Sequence, residues 1–334
     1  MRKAIVHIGP HKTGTTYLQG CFAKRRNELL SRGILAPVEW EHAADNSSHS
    51  RLAMALRTED NFSEMERIVQ SAFARANTLL ISSEDLSNIG PEGARRLSSL
   101  LGGCAVTIIY YVRRWSDILP SGWQELVRQG HGQTFPEYLV SHLRNPEASR
   151  TFNFAAQLDV FIDAFGADAV RLVRYSVLCD RGDDLFTHFA RHFLGWPNAE
   201  APMLEGDKNC SRDAAPTELL RILNVIEMSI GMTPSAELRR RLDSAWNSLD
   251  VTGLLGELQR HQRTVMLNDG APMLKRLHRE LFERYKNNVV HPGPPDLFFR
   301  PKKREIPYIA TDYLLSPALA TRILDLYGQL RAMP

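Results

Sequence analysis

Lys12, Thr13, Gly14, Thr15 and Thr16 follow one another in the stretch Lys3-Ala4-Ile5-Val6-His7-Ile8-Gly9-Pro10-His11-Lys12-Thr13-Gly14-Thr15-Thr16-Tyr17-Leu18-Gln19. A cation, a glycine and three hydroxyls at that spacing suit an anion with several oxygens. The glycine lets backbone N–H groups approach closely, a following helix N-terminus adds donors, and the lysine adds charge. A second set lies about a hundred residues on, where Arg113 and Arg114 are followed by Asp117 and Ser121. Eight residues is close to two helical turns, so Arg113 and Ser121 can meet on one phosphate. Glu84 and Asp85 form a third set, of carboxylates able to take a proton.

The elements that must carry these residues are strands followed by helices. Lys3 to Ile8 is apolar and β-branched, passes through Gly9-Pro10 into a tight loop, and enters a helical pattern from Thr15 to about Arg32. Thr78 to Ser83 reads as a buried strand ending at Glu84-Asp85, and Ala105 to Val112 as another ending at Arg113. Ligands of open parallel sheets collect at the carboxyl ends of strands, where all three sets fall. Plainer readings stand beside these. Gly-rich turns join strands to helices without ligands, Ser82, Ser83 or Asp85 can cap a helix, and Arg113 and Arg114 can simply end a strand. Pro120, just before Ser121, is expected to delay or kink its helix. Trp40, His42 and His49, in and after a polar loop, are candidates to border an acceptor pocket, against the plainer reading of a solvated surface loop. His7 alternates into the first strand as a packed core histidine.

The lysine precedes the glycine, so the first stretch departs from the nucleoside-triphosphatase loop G-x-x-x-x-G-K-[ST]. It resembles instead the 5′-phosphosulfate loop P-K-[ST]-G-[ST]-[ST] of sulfotransferases that use 3′-phosphoadenosine 5′-phosphosulfate (PAPS), with His11 in place of the proline. Arg113, Asp117 and Ser121 match that family's 3′-phosphate motif, R-x-x-x-D-x-x-x-S, with Arg114-Trp115 in place of its common Asn-Pro. The resemblance covers Lys3 to about Gly130 and is nearest in style to bacterial members with histidine before the lysine. A later strand around Ala169–Arg174 and a helix ending in Phe193-Leu194-Gly195 continue it.

The resemblance implies an α/β fold, a P-loop NTPase-like three-layer sandwich with a central parallel sheet and a mainly helical C-terminal part. It implies a PAPS-dependent transferase that needs no metal and moves SO3 to a hydroxyl or amine of a carbohydrate or small molecule. Lys12 would stabilise the bridging oxygen, Lys12, Thr13, Gly14, Thr15 and Thr16 would hold the 5′-phosphate, and Arg113 and Ser121 the 3′-phosphate. Glu84 is the first choice for the base, by resemblance to the strand-end glutamate of carbohydrate sulfotransferases, and His11 the second. The alternative is a nucleotide-dependent small-molecule kinase with a degenerate phosphate loop, its magnesium held by Glu84 or Asp85. A nucleotide-binding protein without catalysis is a third reading.

Length and composition agree with a single domain over 1–334, an α/β nucleotide-binding core at 1–200 followed by a mainly helical part at 201–334. Of the 334 residues, 43% are hydrophobic and 24% charged, an ordinary globular balance, and the net charge of +3 is too small to point to nucleic acid. No apolar run reaches about twenty residues, which excludes stable membrane insertion by a helix. The first strand begins almost at Met1, so the expected location is cytoplasmic. Cys21, Cys104, Cys179 and Cys210 are scattered without a C-x-x-C spacing and read as reduced packing residues. Trp115 and Trp123 are candidates to stack on adenine, with packing the plainer role, and the run Arg300-Pro301-Lys302-Lys303-Arg304 reads as a solvated turn.

Overall fold

Five parallel strands, β1 (Lys3–His7), β2 (Ile34–Leu35), β3 (Thr78–Ser82), β4 (Ala105–Val112) and β5 (Val170–Arg174), lie in the order β2-β3-β1-β4-β5. They belong to a computed structural model that describes residues 1–41, 47–58, 60–204, 214–234, 236–245, 251–291, 293–312 and 316–333. The chain divides into two units. The first comprises Met1–Arg114, Glu147–Gly206 and Pro272–Arg300, the second Trp115–Pro146, Asp207–Ala271 and Pro301–Pro334.

The first unit holds the sheet. β1 is central, paired with β3 from Lys3↔Thr78 to His7↔Ser82 and with β4 from Lys3↔Ala105 to His7↔Ile109. The chain leaves β1 toward β2 and β3 on one side and crosses to β4 and β5 on the other, so a crevice opens at the carboxyl end of β1. Alternate residues cover opposite faces. Ile5, Leu80, Ile109, Tyr111 and Val173 pack against Leu18, Cys21, Phe22 and Leu29 of the helices Thr15–Lys24 and Arg26–Ser31, and against Phe186, Phe189 and Ala190 of Leu185–Phe193. Ala4, Val6, Leu79, Ile81, Ile108, Tyr110 and Leu172 are buried on the other face, where the Tyr110 hydroxyl donates to Gln157 Oε1 at 2.7 Å, in the helix Ala155–Phe165. Each fully buried Leu, Ile or Phe stabilises such layers by about 1.5–3 kcal/mol, so the strand ends are fixed points. The three-layer α/β arrangement with a central parallel sheet is the one the sequence led us to expect. The single helix expected over Thr15 to Arg32 is two, separated at Arg25.

The second unit contains the helices Trp115–Arg128, Phe135–Leu143, Ala214–Ser229, Ala236–Ala245, Val251–Gln259 and Pro317–Ala332. Pro120 neither delays nor interrupts the first of them, which starts at Trp115 and runs through it. The C-terminal part is mainly helical, with one addition that periodicity did not show: β6 (Gln262–Asn268) and β7 (Lys303–Ile309) pair antiparallel from Gln262↔Ile309 to Asn268↔Lys303. Lys303 and Arg304 of the basic run therefore belong to a strand rather than a turn. Asp269 is buried at the end of β6, where it accepts from Ser116 N at 2.8 Å, Ser116 Oγ at 2.7 Å and Lys302 N at 3.1 Å. These three bonds fasten the start of the helix Trp115–Arg128 to the β6–β7 pair. Among the described residues no helix is long and apolar enough to cross a membrane.

Candidate functional site

The loop after β1 has three residues in the left-handed region: Gly9 at φ 89°, Lys12 at φ 66° and Gly14 at φ 78°. Gly9 is required because a Cβ there would come within 2.9 Å of Glu84 Cα, and Gly14 because one there would strike Leu185 Cδ2 at 2.6 Å. Lys12 has no such licence. A long side chain in this conformation is uncommon and costs of order 1–3 kcal/mol, and it persists where surrounding contacts hold it. Two are visible: Thr13, fully buried, donates from Oγ1 to Pro10 O at 2.6 Å, and the Arg113 guanidinium donates through Nη1 to Lys12 O. Left-handed residues at 12 and 14 flank Thr13, and the helix Thr15–Lys24 begins directly after them, where its N-terminal N–H groups are candidates to meet an anion.

Arg113 thus joins the two motifs that the sequence placed about a hundred residues apart. Its guanidinium also lies 5.5 Å from the centre of the Tyr175 ring, and Tyr175 with Leu185 walls the cradle beside Gly14. Tyr17, one turn into the cradle helix, donates its hydroxyl to Asp184, which accepts from Thr187 N at 2.7 Å and so caps the helix Leu185–Phe193. Burial, then the Asp184 carboxylate, pushes the Tyr17 hydroxyl well above its ordinary pKa and keeps it a donor. Tyr17, Tyr175, Asp184 and Leu185 were not singled out as site residues. Ser121 lies in the second unit, on the helix Trp115–Arg128. Arg114 turns away from the loop: buried, it donates from Nη2 to Asp180 Oδ2 at 2.5 Å and from Nε to Arg300 O at 3.0 Å. Trp115 and Trp123 are buried, and Trp123 Nε1 donates to Gln133 O at 2.9 Å.

Glu84 follows β3 and begins a 3-10 turn over Glu84–Asn88. Its neighbour Ser83 makes no side-chain cap bond there. Glu84 Oε2 accepts from Gln19 Nε2 at 2.9 Å, and Gln19, 2% exposed, sits on the cradle helix. The carboxylate is therefore aimed by the element whose N-terminus forms the cradle. His11 is exposed beside it, with Nε2 3.8 Å from Asp85 Oδ1, and Arg57 Nη2 lies 4.0 Å from the same oxygen.

Trp40 and His49, candidate acceptor contacts, are fully buried in this structure and present no surface to a ligand. Their rings meet edge to face at 5.7 Å. His49 Nδ1 accepts from Ser82 N at 3.2 Å, while His49 N donates to Ser82 O at 3.0 Å, so His49 extends the ladder at the end of β3. His7 is hydrogen-bonded through Nδ1 to Ser82 Oγ at 2.9 Å and packs edge-on to Tyr111 and Phe189, as a core histidine. Burial lowers the pKa of His7 and of His49 to about 3, helped for His49 by the charge of Arg26, so both are neutral. These two rings brace the strand end from which Glu84 projects. His42 and Cys210 lie outside the described residues. Cys21, Cys104 and Cys179 are free, and burial pushes the Cys21 thiol up to about 12.

No protein-family model matches the chain, and no curated protein matches it by sequence. Among solved structures, the crystal structure of a sulfotransferase from Alicyclobacillus acidocaldarius is similar to it at 15% identity and a TM-score of 0.40, covering 70% of this chain and 96% of that one. The functional reading therefore rests on the site's own residues.

Proposed function

We propose that the protein is a sulfotransferase that moves a sulfuryl group from PAPS to a hydroxyl or amine of a carbohydrate or small-molecule acceptor. The observation that carries this reading is the bond from the Arg113 guanidinium to the carbonyl of Lys12, which puts a cation of the second motif on the loop of the first. A donor with phosphate at both its 5′ and 3′ positions needs two such cationic centres on one surface.

In the proposed reaction the acceptor oxygen attacks sulfur, the bond from sulfur to the bridging oxygen breaks, and adenosine 3′,5′-bisphosphate leaves. Charge grows on the departing phosphate, as in phosphoryl transfer. Lys12 and the loop N–H groups, with Gly14, Thr15 and Thr16, meet that charge from a backbone already set in position, so little reorganisation is needed during the step. Thr13 acts one step back, because its hydroxyl is engaged with Pro10 and shapes the loop. Arg113 is the proposed reader of the 3′-phosphate. Glu84 takes the acceptor proton, with its carboxylate aimed by Gln19, and protein cations supply the positive charge in place of a metal.

Incubating the protein with sulfur-labelled donor and a panel of sugars, phenols and amines tests this. Label appearing in an acceptor together with adenosine 3′,5′-bisphosphate is the expected result. Release of label only to water, at the uncatalysed rate, with every acceptor class would contradict it.

A further inference from the structure

Arg174, the last residue of β5, is 4% exposed, and its Nε is buried without a hydrogen-bond partner. Its guanidinium lies 5.4 Å from the centre of the Phe282 ring and packs on the backbone so closely that Gly293 has no room for a Cβ. Burial lowers its pKa. Beside it stands His291, the first of three neighbouring imidazoles. The rings of His188 and His192, one turn apart on the helix Leu185–Phe193, are 4.4 Å apart, and His291 meets His188 at 5.0 Å. Both nitrogens of His188 are buried without partners, and the His291 ring lies within hydrogen-bond reach of the Arg174 backbone. Burial brings His188 to about 3 and His291 to about 4.

The leading charged and titratable groups that act on these rings are basic: Arg191, His192 and His291 on His188, Arg174, Arg181 and His192 on His291, and Arg174 on His278. Among the described residues no three His, Cys, Asp or Glu side chains form a metal-holding group, and the neighbouring arginine charges oppose a metal cation.

A buried guanidinium with unspent imidazole nitrogens near it lacks the negative partner that would offset its desolvation. We propose that Arg174, His188 and His291 form an oxyanion site for a doubly charged sulfate- or phosphate-type group, separate from the cradle after β1, with exposed His192 on its solvent side. Arg174 supplies a planar fork of N–H donors suited to tetrahedral oxyanions. The neutral imidazoles become further donors by taking up protons as the anion arrives, so binding strengthens as pH falls below about 5, toward the raised midpoints of the two rings.

The test is titration of the purified protein with sodium sulfate, followed by NMR of the histidine ring C–H signals, in wild type, Arg174→Met and Lys12→Ala. In wild type and in Lys12→Ala, sulfate should saturably shift the His188 and His291 signals and raise their titration midpoints by about one pH unit. Arg174→Met should lose the effect, and Arg174→Lys, which keeps the charge without the fork, should retain a weaker one. The wild-type measurement stands whether or not the methionine variant folds. No saturable shift in wild type, or an undiminished shift in a folded Arg174→Met, would overturn the site. Loss in Lys12→Ala alone would assign the sulfate to the cradle and equally overturn a second site. Neither outcome touches the donor reading, which does not depend on Arg174.

Discussion

The ends of β1 and β3 are neighbours in the sheet and are built on opposite plans. After β1 the candidate element is backbone: left-handed Gly9, Lys12 and Gly14 shape a tight loop, held by Arg113. After β3 it is one side chain, Glu84, aimed by Gln19 and carried on a strand end braced by His7 and His49. A fixed backbone loop suits an anion whose charge grows during reaction, whereas an aimed carboxylate suits a proton in transit. On the proposed reading, leaving-group work falls to the first strand end and proton work to the second.

Substitutions should separate the two. The largest expected effect is Lys12→Ala, which should reduce turnover about a hundredfold or more with an unchanged unfolding temperature. Near-normal turnover would remove the leaving-group role from the end of β1. Glu84→Gln should reduce turnover by about a hundredfold while leaving calorimetric affinity for adenosine 3′,5′-bisphosphate unaltered. If that variant stays active, the proton work moves to His11, and His11→Ala becomes the variant to assay. Arg113→Ala should weaken adenosine 3′,5′-bisphosphate about tenfold more than adenosine 5′-phosphate. Equal losses for the two ligands would confine Arg113 to bracing Lys12.

The bracing at β3 has its own signature. His49→Phe removes the acceptor for Ser82 N–H and should lower stability by about 1–3 kcal/mol in urea unfolding, with donor affinity kept. A pH series sharpens this. His7 and His49 have folded pKa values near 3 against an ordinary 6.5, so the unfolded chain binds more protons between those limits. Their contribution is fully present above about pH 6.5 and is lost as pH falls toward 3. A urea midpoint that stays flat across that window would mean the two rings are not held neutral in the folded chain.

The loop after β1 was legible as a strand-to-helix junction because its parts are contiguous: glycine, lysine and hydroxyls within one turn, after an apolar strand. β3, β4 and β5 were readable within about a residue, since buried parallel strands write themselves as continuous apolar runs. What holds the site in place was not readable. Gln19 reaches Glu84 across 65 residues, Arg113 reaches Lys12 across 101, and Tyr17 reaches Asp184 across 167, and no local pattern encodes such pairings. Trp40 and His49 read as polar-loop residues by their neighbours, and only the packed structure shows both rings buried. β6 and β7 escaped notice because β6 is mostly exposed, β7 contains Pro307, and their pairing spans Gln262 to Ile309.

The most direct measurement is calorimetric titration of the purified protein with adenosine 3′,5′-bisphosphate in the absence of metal, set against ATP with magnesium. The account predicts metal-independent binding of the bisphosphate in preference to ATP, lost in Lys12→Ala. Tight magnesium-dependent ATP binding with no response to the bisphosphate would contradict it and make the kinase reading the leading one.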